Sequence, residues 1–368
     1  MYYLMNKDNI VAKFEKSNDI LDNEFHMIDS EQNKMPLGFE DINIWLERRQ
    51  AAKHREHLKK LMAECGCLSS EGFVRVTHAT SLNDSFWVKN ESEDIKWEQV
   101  SLYKNEFDDV ISKISFEGNG LYGIEFSTTT PEFSTEGSFE KCWKREKDGI
   151  YLYKRGSVGA RNAGLEPFSE CYAAQIAKIL CRKFVDYEIT SLHKKTASKC
   201  KLFTSEEEGF ASFAAFFSKK VSPREMLEFY SKLGCENDFR RMIVFDAVTL
   251  NTDRHYGNHG VVFKNDTMKI CGMAPIFDYN QAFLPYAEST DFENQEEYLK
   301  MIEPKIGDDF VAIAKSLLTS DIRADLINMH GVHLEYLPDE RFTVERLKMI
   351  EKIMNLQIAK ILDKGKMV

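Results

Sequence analysis

Ten residues do most to limit what this chain can fold into: Asn251-Thr252-Asp253-Arg254-His255-Tyr256-Gly257-Asn258-His259-Gly260. A helical pattern, Asp238 to Leu250, runs into them, and a β-rich run, Gly260 to Lys264, leads away. Their polar groups are therefore expected on a short, fixed loop between a helix and a strand. A turn at Asn265-Asp266 and a second β-rich run, Met268 to Phe277, end in Pro275-Ile276-Phe277-Asp278-Tyr279. An Asp, an Asn five positions on and a second Asp at a strand end suit phosphoryl transfer. Asp253 would accept the proton of an attacking hydroxyl. The Asn258 amide oxygen and the Asp278 carboxylate are the hard oxygen ligands that Mg²⁺ prefers. A polar turn that merely caps a helix does not call for this spacing.

The rest of the chain divides by texture. Residues 1 to about 115 read as a mixed α/β accessory domain. It has a strand-like start (Tyr2 to Phe14), a helix from about Asp41 to Met62, and short strands at Phe73 to Val76 and Ser85 to Val88. Residues 116–203 read as a β-rich lobe, with Ile124 to Thr130 β-rich. Lys141 to Arg145 and Ile150 to Arg155 flank a hairpin turn at Lys147-Asp148-Gly149. A helix begins at Pro167-Phe168-Ser169-Glu170, with Ser169 as its expected N-cap and an apolar stripe through Tyr172, Ala173, Ile176, Ala177 and Leu180. Ala197 to Phe203 reads as a strand. Residues 204–368 are helical apart from the strand pair already described: Met226 to Leu233, Phe310 to Leu318, Ile322 to Met329 and Val344 to Leu362 all carry the pattern. A β-rich lobe followed by a helical lobe predicts an α+β fold with a ligand cleft.

Phosphoryl transfer also needs a cation on the phosphates. Lys154 ends the alternating run Ile150-Tyr151-Leu152-Tyr153-Lys154 and is the candidate, with Glu170, or second Glu166, as the acid that holds it. Upstream, Ser134-Thr135-Glu136-Gly137-Ser138-Phe139-Glu140-Lys141 is a small-residue loop between strands. Its backbone N–H groups could lie over phosphates, with Lys141 adding charge. The literal G-x-G-x-x-G from Gly118 to Gly123 precedes a β-rich run rather than a helix, so it reads as a turn. Lys53, Arg55, Lys59 and Lys60, with His54 and His57, read first as a solvated helix face, with a local anion or nucleic-acid contact as the alternative. His255 and His259 lie on a loop without H-E-x-x-H, which argues against zinc, and His255 is expected to brace the loop.

Composition closes off other classes. No apolar run approaches the roughly 18 residues of a membrane helix, and charge begins at Lys7, so no leader is expected. The eight cysteines have neither a disulfide framework nor zinc spacing, as in a cytoplasmic protein with reduced thiols. The net charge of −10 argues against a broad nucleic-acid surface. That acidity is uneven. Residues 121–290, which hold every candidate above, carry 23 Lys+Arg against 22 Asp+Glu.

These residues resemble the HipA-like kinase family, whose fold is similar to protein kinases and phosphatidylinositol 3/4-kinases. N-T-D-R-H-Y-G-N (Asn251 to Asn258) is similar to its catalytic loop, I-F-D (Ile276 to Asp278) to its metal-binding motif, and S-x-x-G-x-x-E-K (Ser134 to Lys141) to its phosphate-binding loop. More weakly, Leu82 to Lys89 resembles part of the N-terminal region of some members. The resemblance implies a two-lobed kinase fold, with residues 116–203 binding nucleotide and residues 204–368 catalytic. It implies Asp253 as catalytic base, Asn258 and Asp278 as Mg²⁺ ligands and Lys154 as the nucleotide-phosphate lysine. Cys200 to Phe203, including Lys201, would lie at the adenine-binding hinge, and Ser134 would be the autophosphorylated serine.

The expectation is thus an Mg-ATP-dependent Ser/Thr kinase acting on a protein hydroxyl, with an antitoxin-type protein partner of the kind the family often uses. D-R-H-x-x-N also occurs in phosphatidylinositol kinases, so a lipid or small-molecule kinase is the alternative within enzymes. The absence of a basic membrane-facing segment counts against lipid. A catalytically silent kinase-fold binding module is the alternative outside them.

Overall fold

The computed structural model describes residues 1–17, 24–51, 56–118, 129–137, 139–159 and 162–363. In chain order, strands β1 (Tyr2–Asn6), β2 (Asn9–Lys16) and β3 (Phe25–Ser30) precede helices α1 (Ile42–Arg49), α2 (Glu56–Glu64) and α3 (Ser70–Thr77). Strand β4 (Phe86–Asn90) and helices α4 (Trp97–Val100) and α5 (Asp109–Glu117) follow. Next come strands β5 (Lys141–Glu146) and β6 (Gly149–Arg155), helix α6 (Glu166–Leu180), strands β7 (Glu188–Leu192), β8 (Lys195–Lys201) and β9 (Glu208–Ser212), and helices α7 (Phe213–Phe216), α8 (Pro223–Lys232) and α9 (Glu236–Thr249). Strands β10 (Gly260–Lys264) and β11 (Ile270–Met273) are followed only by helices: α10 (Ser289–Glu293), α11 (Gln295–Lys300), α12 (Phe310–Leu317), α13 (Ser320–Met329) and α14 (Val344–Leu362). The fold is α+β. Its residues form two compact units, Met1–Lys154 with Leu202–Ala211 and Val261–Cys271, and Arg155–Lys201 with Ser212–Gly260 and Gly272–Val368.

In the first unit, β3-β2-β1-β4 form an antiparallel sheet. Successive β1 residues face opposite sides, so Leu4, opposite Val88, joins the main core with Phe14, Ile42, Leu46, Phe73 and Ile111. Met5, opposite Trp87, packs with Trp97 on the other side. Arg49, 8% exposed, makes a two-pronged pair with Asp84 (2.8 and 3.0 Å) and donates to the carbonyls of Ala79 and Phe86, which fixes α1 to the sheet.

The strand-like start, Tyr2 to Phe14, is a hairpin that turns at Lys7 with φ +49°. The helix expected from Asp41 to Met62 is interrupted: α1 ends at Arg49, Gln50 is extended, and α2 starts at Glu56. The strand expected at Phe73 to Val76 is helix α3. Ser69 Oγ accepts the Gly72 N–H at 3.0 Å, and this cap overrides the β-like alternation of Phe73-Val74-Arg75-Val76. Of the expected strand Ile124 to Thr130, residues 124–128 lie outside the described residues and Thr129 and Thr130 form none. The expected 141–155 hairpin is present in the register Lys141↔Lys154.

In the second unit, α9 is the central helix, with Phe239, Met242, Val244, Phe245 and Val248 all buried, and α6, α8, α12 and α14 pack on it. Helix α6 starts earlier than expected, at Glu166, with Pro167 pre-set in its first turn, so Ser169 lies inside the helix and caps nothing. Its stripe from Tyr172 to Leu180 is buried as read. β7 was not expected. It pairs with β8 through a turn whose His193 and Lys194 both have positive φ, +48° and +62°, without a glycine to announce it. The run expected as a strand to Phe277 is regular only to Met273, and Ile276 then makes an isolated bridge to Phe184. Among the described residues, no helix is long and apolar enough to cross a membrane.

Candidate functional site

Helix α9 ends at Leu250, whose left-handed backbone (φ +53°) turns the chain into the loop 251–259. The loop is folded by its own short bonds. His255 N–H donates to the Asp253 carbonyl (2.8 Å), Asn258 N–H to the His255 carbonyl (2.9 Å), and Gly257 N–H to His255 Nδ1 (3.1 Å). His255 thus braces the loop through its ring. Burial lowers its pKa and favours the neutral form that can accept.

Arg254 organises the site. It is 1% exposed and makes a two-pronged pair with Asp246 of α9, Nε to Oδ2 and Nη2 to Oδ1, both 3.0 Å. Asn251 Nδ2 donates to the same carboxylate at 2.9 Å. Arg254 Nη1 donates to two backbone carbonyls, Asn258 at 2.9 Å and Phe277 at 2.6 Å. One nitrogen therefore ties the backbone of Asn258 to that of the residue before Asp278. Burial opposes both charges. It raises Asp246, while in Arg254 the attached carboxylate outweighs burial and holds the guanidinium above its ordinary value.

The candidate metal ligands fit an oxygen-seeking ion. Asn258 Nδ2 donates to the Asp253 carbonyl at 3.1 Å, so its amide oxygen is the atom that could face a metal. Asp278 has φ +59°, an uncommon conformation for a non-glycine residue, and its N–H donates to Tyr187 Oη at 3.1 Å. Among the described residues, no group of three or more His, Cys, Asp or Glu could hold a metal by itself. An amide oxygen and one carboxylate suit Mg²⁺ bound together with substrate phosphates, as the ion prefers. They do not make a zinc cage. His259 Nδ1 lies 2.8 Å from the Tyr230 hydroxyl, and burial lowers its pKa to about 3, which keeps the ring neutral.

Asp253, partly exposed, receives Lys305 Nζ on Oδ1 at 2.6 Å. Glu170, inside α6, accepts from the Ser198 hydroxyl of β8. Glu166, the second candidate for holding a lysine, is committed elsewhere. Its carboxylate takes the Ser157 N–H (3.2 Å), the Gly164 N–H (3.0 Å) and the Tyr286 hydroxyl (2.7 Å). Lys201 is exposed at the end of β8.

The first unit carries the other candidates. Lys141 and Lys154 face each other across β5 and β6, and both are buried, at 6% and 4% exposed. Lys141 Nζ donates to the Glu136 carbonyl at 2.7 Å, and Gly137 beside it has φ +89°, a glycine conformation. Ser134 closes a 3₁₀ turn, Glu132–Ser134, with its hydroxyl buried and donating to the Pro131 carbonyl at 3.2 Å. Phe203 packs edge-on against Phe210, centroids 5.5 Å apart. Ser138, Lys53, His54, Arg55 and residues 119–123 of the G-x-G-x-x-G lie outside the described residues.

Sequence reasoning missed Asp246, Tyr187 and Lys305. A lone acid in the apolar run Met242-Ile243-Val244-Phe245-Asp246-Ala247-Val248 was the available signal, because a buried carboxylate needs a partner. Nothing in the sequence marked Tyr187 or Lys305.

No protein-family model matches the chain, and no curated protein does. Solved structures do. HipA from the Shewanella oneidensis MR-1 toxin–antitoxin system, in a complex of HipA, HipB and operator DNA, is similar over 99% of both chains, with a TM-score of 0.57 at 10% identity. The Helicobacter pylori proinflammatory kinase CtkA is similar over 62% of this chain and 90% of its own, with a TM-score of 0.47 at 17% identity. The chain has the HipA-like kinase fold, across nearly its whole length.

Proposed function

We propose that this protein is an Mg-ATP-dependent Ser/Thr protein kinase of the HipA kind. Residues 1–115 would be its accessory domain, 116–203 its nucleotide-binding lobe and 204–368 its catalytic lobe. The observation that carries the reading is the Arg254 guanidinium, which holds the carbonyls of Asn258 and Phe277 at 2.9 and 2.6 Å and so keeps the catalytic loop beside Asp278.

In this reading the Asp253 carboxylate takes the proton of the acceptor hydroxyl. The hydroxyl oxygen bonds to the γ-phosphorus, the bond to the β–γ bridging oxygen breaks, and ADP leaves with that electron pair. Lys154 and Lys141 offset phosphate charge, Glu170 positions Lys154, and the backbone around Gly137 and Ser138 covers the phosphates. Asn258 and Asp278 would hold Mg²⁺, which supplies charge neutralisation on the phosphates when bound. Cys200 to Phe203 would meet the adenine. Ser134 is the proposed autophosphorylation site, an antitoxin-type protein the proposed partner and the cytoplasm the proposed location.

The test is γ-labelled ATP with the full chain, alone and with a cell lysate, followed by phosphosite mapping. Ser/Thr labelling is expected, and Asp253→Ala and Asp278→Ala should each lower it by at least about a hundredfold. Wild-type labelling by either variant overturns the assignment. Label confined to lipid or a small metabolite points to the other kinase class, and no label in any fraction to a silent binding module.

A further inference from the structure

A cavity of about 1000 Å³ opens beside the candidate catalytic loop, wholly within the second unit. Its size lies at the upper end of the range for ligand sites. The loop itself, Arg254 to Gly257, forms one wall. A second wall comes from the stretch 218–226 before and within α8, and a third from 305–316, which leads into and along α12.

Both outer walls are tied to the loop. The Tyr256 hydroxyl lies 2.8 Å from the Val221 N–H and 3.2 Å from its carbonyl. Lys305 reaches Asp253 at 2.6 Å. The floor is apolar, with Met226 and Ile306 buried and Val221 and Ile313 part-buried. At the rim, Lys219 and Lys220 are exposed, and neither has an acidic partner among the described residues. Two acids also line the cavity, both on the third wall, and Asp309 already accepts the Ala312 N–H at 2.7 Å. The cavity is thus apolar at the bottom and cationic along its second wall, and its lining residue Lys305 contacts the residue proposed to take the acceptor's proton.

Resting on the kinase reading above, we infer that this cavity seats the phosphoacceptor segment of a protein substrate. Its occupant is an unfolded or extended stretch carrying a Ser or Thr, an apolar side chain for the Val221–Met226–Ile313 floor, and an acidic side chain for Lys219 and Lys220. Lys305 sits on Asp253 Oδ1, so a hydroxyl arriving at Asp253 meets either Oδ2 or an Oδ1 from which Lys305 has moved. The chemistry separates this seat from a nucleotide site: its floor is apolar, and the paired buried lysines, Lys141 and Lys154, are in the other unit.

The experiment uses the full-length chain, ATP and a library of dephosphorylated peptides from a digested cell lysate, with the phosphorylated sites mapped by mass spectrometry. The wild-type protein is expected to favour an acidic over a basic residue at one flanking position by about fivefold, the scale of exposed ion pairs. It should favour Leu over Ala at another by about tenfold. Lys219→Glu combined with Lys220→Glu should invert the first ratio, and Lys219→Gln combined with Lys220→Gln should erase it without inverting it. Ile313→Ala should shrink the second. A variant that has merely lost its fold slows all peptides alike and changes neither ratio, which is why both charge variants are needed. Ratios that the charge variants leave at the wild-type value, or a wild-type protein with no flank preference, overturn the acceptor seat while leaving the kinase reading intact. A wild-type protein that labels no peptide and no lysate protein overturns the kinase reading, and the seat falls with it.

Discussion

Arg254 and Asp246 show how much of the site depends on two buried charges. Removing one partner leaves the other uncompensated, so Asp246→Ala should destabilise the chain by about 3–5 kcal/mol, read from urea unfolding of the full protein. Replacing both with apolar residues, Asp246→Leu with Arg254→Met, should recover much of that stability, because no orphan charge remains. It should not recover phosphoryl transfer, since the carbonyls of Asn258 and Phe277 lose their shared donor. A double variant that is stable and fully active would show that the guanidinium does not position the site. The contrast also marks what the sequence reveals at this scale. Asp253, Asn258 and Asp278 could be picked out because polar residues at fixed spacing on a loop have few structural reasons to be there. Asp246 sits in a helix among apolar residues, and Lys305 reaches Asp253 from 52 positions further along the chain, so the pairing depends on the fold and leaves no local pattern.

Elements were readable where one signal dominated. The long terminal helix, Val344–Leu362, and the β5–β6 hairpin match the sequence reading closely because periodicity and turn chemistry agree there. Helix α3 shows the opposite, since Phe73-Val74-Arg75-Val76 favours a strand locally and the cap at Ser69 with burial of Phe73 and Val74 decides for a helix. Its packing is testable. A β-carbon at Gly72 would stand 1.8 Å from the Gly66 carbonyl oxygen, so Gly72→Ala must push α3 off the preceding turn. A loss of about 1–3 kcal/mol is expected in thermal or urea unfolding, and an unchanged midpoint would count against this packing. In α8 the Ser222 hydroxyl accepts the Glu225 N–H while Glu225 returns a bond to the Ser222 N–H. Ser222→Ala should therefore cost about 1 kcal/mol. Gly307 carries the loop behind Lys305 with φ +86°, and an added β-carbon would lie 3.1 Å from Ile313. Gly307→Ala is expected to weaken labelling of peptides more than overall stability, measured side by side.

For the whole molecule, the fold was legible at the level of class, α+β, with a polar loop between a helix and a strand. Only the three-dimensional comparison reveals that the likeness to HipA extends over 99% of the chain, because 10% identity leaves few residues to carry it. The charge pattern belongs to this scale as well. A near-neutral 121–290 between acidic flanks is what the proposed kinase would need to attract a polyphosphate. With saturating Mg-ATP the unfolding midpoint should rise, by about 2.7 kcal/mol of stability at a hundred times the dissociation constant. EDTA or Asp278→Ala should remove the rise, and restoring Mg²⁺ should return it only to the wild type. A rise that survives both would place the nucleotide elsewhere. One last consequence comes from the turn Glu132–Ser134. A hydroxyl that donates inward to the Pro131 carbonyl can be reached only while its turn is open. Modification at Ser134 would then depend on how often the Glu132–Ser134 turn opens as well as on ATP.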